Sequence, residues 1–210
     1  MSDIIVFTSR RLCREDFLER IKKLALAKPG GIVLREKDLS EEDYKSLAVK
    51  ALELCQRYGT SCILHNFANV ATELECRALH LPLHMLRRLS DAEKKHFDTL
   101  GASCHSVGEA MEAESLGCTY VTAGHIFDTD CKKGAPGRGL VFLAEVCKAV
   151  SIPVYAIGGV NAENFSDVIR AGAAGACLMS GAMRCDNPNE YLSAFDGMDS
   201  AKESSEKNEI

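Results

Sequence analysis

The chain of 210 residues has no run of roughly 18 apolar residues, so no membrane-spanning helix is expected. Met1-Ser2-Asp3 leads into an apolar strand with neither a basic region nor a signal-like apolar segment, and a cytoplasmic protein is expected. A basic excess is also missing. The formal net charge is −5, which argues against a nucleic-acid partner. Among 10 cysteines there is no Cys-x-x-Cys pair, so the short-spaced ligand pairs of a structural zinc site are absent. Cys55, Cys62, Cys118, Cys147 and Cys177 fall inside expected helices and strands, where a thiol acts as a small apolar group. A disulfide framework belongs to small secreted chains rather than one of this size. Cys131 differs, because Lys132 and Lys133 beside it could lower its pKa. An incidental loop thiol remains the simpler account.

What is present is a recurring unit: a helical stretch, a glycine, a short apolar strand, then a polar loop. The strands are expected at residues 4–8, 32–35, 62–65, 78–81, 99–104, 120–123, 154–157 and 176–179. Helical spacing marks 15–26, with Phe17, Leu18, Ile21 and Leu24 on one face. A second helix opens on the capping box Ser40-Glu41-Glu42-Asp43 and stops at Gly59. Further helices are expected around 70–75, after Ser90, after Ser106, over 140–149, from Phe165 to Gly172 and over 188–195. Short apolar strands suit a parallel sheet buried on both faces. Eight of them, each followed by a helical piece, predict a single-domain α/β fold, a (β/α)₈ TIM barrel over 1–196. An open doubly wound sheet is the runner-up. Residues 197–210 are mostly polar and are expected to form a disordered tail.

In such a barrel the loops that follow the strands meet at one end and carry the chemistry. Arg35 and Lys37 follow the second strand, and His65 and Asn66 the third. Ser103 and His105 close the fifth. The loop from Gly124 to Gly139 holds His125, Lys132, Lys133 and Arg138. Cations gathered at one mouth of a net-acidic protein suit an anionic small molecule. The plainer account of Arg35 and Lys37 is ion pairing with Glu36 or Asp38. Gly158-Gly159 and Ser180-Gly181 follow the last two strands, where barrels bind phosphate through backbone N–H groups. His125 is the candidate acid–base group, since imidazole titrates near neutrality. His65 and His105 compete with it, while His80 points into the barrel or toward a helix.

These residues resemble the thiamine phosphate synthase/TenI superfamily of (β/α)₈ barrels. The match rests on Leu34-Arg35-Glu36-Lys37, Asn66, Ser103-Cys104-His105-Ser106, the central loop, Ala156-Ile157-Gly158-Gly159-Val160 and Gly172-Ala173-Ala174-Gly175. The resemblance implies an enzyme of thiamine biosynthesis. The synthase branch joins a pyrimidine diphosphate to a thiazole phosphate, with Mg²⁺ held by aspartates. Here the corresponding positions read Phe67 and Leu83-His84-Met85, and His125 stands where that branch has proline. The run from Gly124 to Gly134 is similar to the thiazole tautomerase branch, which implies an isomerase that aromatises a thiazole carboxylate phosphate without metal or other cofactor. In that reading His125 moves the proton. Arg35, Lys37, Asn66, Ser103 and Lys132 surround the substrate, and Gly158, Gly159, Met179, Ser180 and Gly181 hold its phosphate. The alternative is the synthase, with Mg²⁺ as its cofactor. A third possibility is a non-catalytic binder of thiazole or thiamine phosphates. Relatives often form dimers or larger rings, so a homo-oligomer is a further expectation.

Overall fold

The computed structural model describes residues 4–129 and 134–196. Eight parallel strands close into a barrel in sequence order: β1 (Ile4–Phe7), β2 (Gly31–Leu34), β3 (Cys62–His65), β4 (Ala78–Pro82), β5 (Thr99–Cys104), β6 (Tyr120–Gly124), β7 (Val154–Ile157) and β8 (Gly175–Leu178). Closure is made by β1 against β8, with Ile5 opposite Cys177. The sequence expectation of a TIM barrel holds, and an open sheet is excluded.

Because side chains alternate along a strand, each strand feeds two cores. Ile5, Phe7, Val33, Ile63, Tyr120 and Cys177 fill the barrel lumen. Their neighbours Ile4, Val6, Ile32, Leu64 and Val121 face outward into the larger layer beneath the helices. That is why the strands read as unbroken apolar runs rather than alternating ones.

Around the barrel lie α1 (Phe17–Leu26), α2 (Glu41–Tyr58), α3 (Ala68–Glu73), α4 (Leu83–Leu86), α5 (Asp91–Lys94), α6 (Val107–Ser115), α7 (Gly139–Ala149), α8 (Phe165–Arg170), α9 (Ser180–Arg184) and α10 (Pro188–Ser193). The helix expected from Glu15 begins at Phe17, because the Asp16 carboxylate caps the N–H groups of Leu18 and Glu19. Ser40 and Gly59 bound α2 as expected, with Gly59 at φ 63°. The helix expected around 70–75 starts at Ala68, and the one after Ser90 is a single turn. Two short helices, α4 and α9, had no counterpart in the sequence expectation.

Tyr44, buried on α2, joins three elements. Its hydroxyl donates to the Leu34 carbonyl at 2.7 Å and accepts the His65 N–H at 2.8 Å. The ends of β2 and β3 are thereby set at the mouth. No helix among the described residues is long and apolar enough to cross a membrane. The tail at 197–210 lies outside the described residues.

Candidate active site

The loop after β2 carries two cations because its backbone continues the strand's alternation. Arg35 and Lys37 line a cavity of about 490 Å³ at the C-terminal mouth of the barrel. Glu36 between them turns the other way and is 3% exposed. Its carboxylate accepts from Thr8 Oγ1 at 2.8 Å and from the Arg10 backbone N–H at 3.1 Å, and pairs with Arg10 Nε at 3.3 Å. Thr8 Oγ1 also accepts the Arg35 N–H at 2.9 Å. Asp38 pairs with Arg10 and Arg11. The carboxylates proposed as structural partners of Arg35 and Lys37 are thus taken by the β1 loop. Burial raises the Glu36 pKa, while the hydrogen bonds from Arg10 and Thr8 oppose the rise.

The floor of the cavity is neutral and polar. His80 is fully buried, with Nδ1 2.9 Å from Tyr120 Oη and Nε2 2.8 Å from Ser103 Oγ. It therefore points into the lumen, one of the two directions the sequence allowed. His65 stacks on it with ring centroids 5.8 Å apart. Burial, and then the charge on Lys37, depress the His80 pKa to about 3. Burial also takes His65 well below its ordinary value, with His80, Arg35 and Lys37 adding to the effect. Both imidazoles are uncharged at neutral pH. His65 and Ser103 line the cavity, and so does His105, whose Nδ1 lies 3.0 Å from the Gly124 carbonyl.

The loop after β6 forms the third wall. Its base is closed by Arg138 N–H to His125 O at 3.0 Å and Gly139 N–H to Ile126 O at 2.9 Å. The Asp128 carboxylate accepts the Gly137 N–H at 2.7 Å. The loop docks on the β7 loop through Ile126 N–H to Ile157 O and Phe127 N–H to Gly158 O. Gly158 and Gly159 have φ of 95° and 69°, and a Cβ on them would lie 2.3 Å from His125 Cβ and 2.6 Å from Phe127 Cβ. These glycines therefore serve loop packing as well as the cavity they line. His125 lines the cavity, with Nε2 3.2 Å from the Ala135 carbonyl. A carbonyl can only accept, so Nε2 carries the proton there.

Nine of the eleven expected site residues line the one cavity: Arg35, Lys37, Ser103, His125, Gly158, Gly159, Met179, Ser180 and Gly181. Asn66 is not among its lining residues. It sits at φ 69° with Oδ1 buried and without a partner among the described residues, its N–H donating to the His80 carbonyl at 3.2 Å. Lys132, with Cys131 and Lys133, lies outside the described residues. Arg138 turns away and stacks on the Phe142 ring at 5.2 Å. Sequence reasoning missed Phe7, Thr122, Thr129 and Tyr191 in the lining. For Thr122 a signal existed: it lies two residues from Gly124 on β6 and so shares its inward face.

The cavity is thus lined by two cations, by glycine-rich backbone and by uncharged polar side chains, and comparison with known proteins shows the family. A model of the thiamine monophosphate synthase family matches residues 4–182. The chain belongs to that family. It is 34% identical over 199 residues to the thiamine-phosphate synthase of Roseiflexus sp. (strain RS-1), covering 91% of this chain and 83% of that protein. It is 32% identical over 186 residues to the thiamine-phosphate synthase of Clostridium acetobutylicum, covering 85% of each. The solved thiamine phosphate pyrophosphorylase from Pyrococcus furiosus superposes with a TM-score of 0.80 at 25% identity, covering 93% of this chain and 94% of that one.

These relatives overturn the expected tautomerase. The two sequence relatives are named thiamine-phosphate synthases and the solved one a thiamine phosphate pyrophosphorylase, names of transferases and not of isomerases. The tautomerase expectation rested on the run from Gly124 to Gly134, His125 included, and on the lack of carboxylates at Phe67 and Leu83-His84-Met85. Magnesium, which the synthase resemblance implies, is a poor match to the residues present. It takes oxygen ligands, carboxylates above all, and the cavity lining contains no Asp or Glu among the described residues. The Phe67 ring packs on Tyr44 at 4.3 Å between centroids, and Leu83 is buried in the core. Nor does any group of three His, Cys, Asp or Glu side chains among the described residues stand where it could hold a metal.

Proposed function

We propose that the chain catalyses the family's transfer reaction, joining a hydroxymethylpyrimidine diphosphate to a thiazole phosphate and releasing pyrophosphate. The observation that carries this reading is the lining of the cavity. Arg35 and Lys37 from the β2 loop share it with the Gly158-Gly159 and Ser180-Gly181 loops, and Arg35 Nη1 reaches to 4.0 Å from Met179 Sδ. Fixed cations and backbone N–H groups in one cavity suit a pair of substrates that are both phosphorylated. A volume of about 490 Å³ lies within the range of small-molecule sites.

The chemistry balances without a proton. The C–O bond between the pyrimidine methylene and the diphosphate breaks, and its electron pair leaves on oxygen. The lone pair of the thiazole nitrogen forms the new C–N bond at the same carbon. Nothing is oxidised or reduced, and no general base is required. That agrees with a lumen whose histidines are held neutral by burial. Negative charge grows on the departing pyrophosphate, where the fixed cations of Arg35 and Lys37 stabilise it. Gly158, Gly159, Met179, Ser180 and Gly181 would seat the phosphate of the thiazole partner. His125, tied to the Ala135 carbonyl, would hold the loop against that wall rather than move a proton. No step here runs through a metal.

The test is pyrophosphate release by the purified protein supplied with both substrates. We expect pyrophosphate and thiamine phosphate in equal amounts. Binding of both compounds with no pyrophosphate formed would defeat the proposal and favour a non-catalytic binder.

A further inference from the structure

We propose that the Thr122 hydroxyl is a ligand contact at the bottom of the cavity, reading the hydrogen-bonding edge of a heterocycle that enters ring first. The inference rests on the transfer reaction proposed above, which supplies the ring. Thr122 lies on β6, is 1% exposed and lines the cavity. Its Oγ1 is fully buried and meets no hydrogen-bond partner among the described residues. A buried hydroxyl in that state costs free energy comparable to a lost hydrogen bond. Valine has the same shape and would fill the floor without that cost. The hydroxyl becomes favourable only when something entering the cavity completes its hydrogen bond.

The surroundings say what that partner is. Thr122 stands opposite Ser103 on β5 and Tyr155 on β7. The Ser103 hydroxyl already meets His80 Nε2, and His80 Nδ1 meets Tyr120. A neutral imidazole carries one N–H, so the string has two settings. Either Tyr120 donates to His80 and His80 donates to Ser103, which leaves the Ser103 hydrogen for the cavity. Or both donations reverse, and Ser103 offers lone pairs. Two adjacent hydroxyls, each able to donate or accept, suit the polar edge of an uncharged ring. They do not suit a phosphate, whose cations stand above at Arg35 and Lys37. A 4-aminopyrimidine has such an edge in its amino group and ring nitrogens, whereas the one good acceptor of the thiazole is the nitrogen whose lone pair attacks.

The test compares Thr122→Val and Thr122→Ser with the wild type by calorimetric titration of hydroxymethylpyrimidine diphosphate and, separately, of thiazole phosphate. We expect Thr122→Val to bind hydroxymethylpyrimidine diphosphate about fivefold to twentyfold more weakly, the worth of one hydrogen bond, and thiazole phosphate unchanged. Weakened binding of thiazole phosphate instead would overturn the inference. Thr122→Ser should stay within about threefold of the wild type, and ligand-free Thr122→Val should melt no lower than the wild type. Unchanged binding of both compounds by Thr122→Val would overturn the inference alone. So would a clear loss of stability in that ligand-free variant, since it would reveal an internal partner for the hydroxyl. A wild type that binds neither compound would remove the transfer reaction and this inference together.

Discussion

Glu36 never reaches the cavity, yet it fixes the backbone that aims Arg35 and Lys37. The carboxylate ties Thr8, Arg10 and the β2 loop into one knot. Glu36→Gln keeps the shape and removes the charge. The Arg10 side chain is 35% exposed, so water replaces part of what is lost. We expect a loss of about 1–3 kcal/mol, or roughly 3–10 °C in Tm for a chain of this size, together with a KM for the diphosphate substrate raised more than kcat is lowered. A thermal melt and steady-state kinetics check this, and an unchanged KM would separate Glu36 from the aim of the two cations. His80 makes a second prediction at this scale. Its ordinary pKa of 6.5 falls to about 3 in the fold. Between those values the unfolded chain binds a proton that the folded chain refuses. Stability is therefore complete above pH 6.5 and lost as pH falls below it, by about 1.4 kcal/mol per pH unit for this one group. His65 shifts in the same direction and steepens the loss. Denaturant midpoints measured from pH 7.5 down to 5 should fall, and should fall less steeply in His80→Gln. A flat profile would mean that His80 is not held neutral by the fold.

Among the elements, the loops after β6 and β7 act as one. Gly158 combines a φ of 95° with backbone contact so close that a Cβ would lie 2.3 Å from His125 Cβ. Gly158→Ala must therefore pull the β6 loop off the β7 loop or distort both. We expect a loss of at least about 2 kcal/mol from the left-handed backbone and the clash together, and thiazole phosphate binding weakened by more than tenfold. Urea unfolding and calorimetric titration would check it, and wild-type behaviour would place the steric requirement elsewhere. Such elements also show what could be read without coordinates. β3, β5 and β7 occupy their expected residues, and for β3 and β7 the reason is punctuation by Gly59 and Pro153 just ahead of a short apolar run. The cations and glycines at strand ends followed from the barrel rule alone. α4 and α9 stayed hidden, because a helix of four or five residues has no period to detect. Polarity did not mark the inward face of Thr122, because a strand buried on both sides shows no alternation, and only its two-residue spacing from Gly124 pointed there. Asn66 looked like a site residue from its place after β3, but its left-handed backbone carries it out of the cavity lining.

At the scale of the whole molecule, a chain of net charge −5 surrounds a mouth whose described lining holds Arg35 and Lys37 and no carboxylate. Such a mouth attracts polyanions from solution and repels free divalent cations. At the two places where the family resemblance implies magnesium ligands, Phe67 packs against Tyr44 and Leu83, the first residue of α4, is buried, while His84 is exposed. A carboxylate at Phe67 or Leu83 would disturb that packing. A consequence is measurable without any substrate. A ligand that binds only the folded state raises stability by RT ln(1 + [L]/Kd), which is about 2.7 kcal/mol when the ligand is at 100 times its Kd. For a chain of this length that corresponds to a Tm increase of roughly 5–11 °C. We expect 10 mM MgCl₂ at constant ionic strength to leave the Tm of the substrate-free protein within about 1 °C of its value in EDTA, because only a resident site with a Kd near or below 0.1 mM gives the larger rise. A shift of several degrees would show that oxygen ligands converge at the mouth in spite of its charge, and the metal would then have to enter the transfer step beside Arg35 and Lys37.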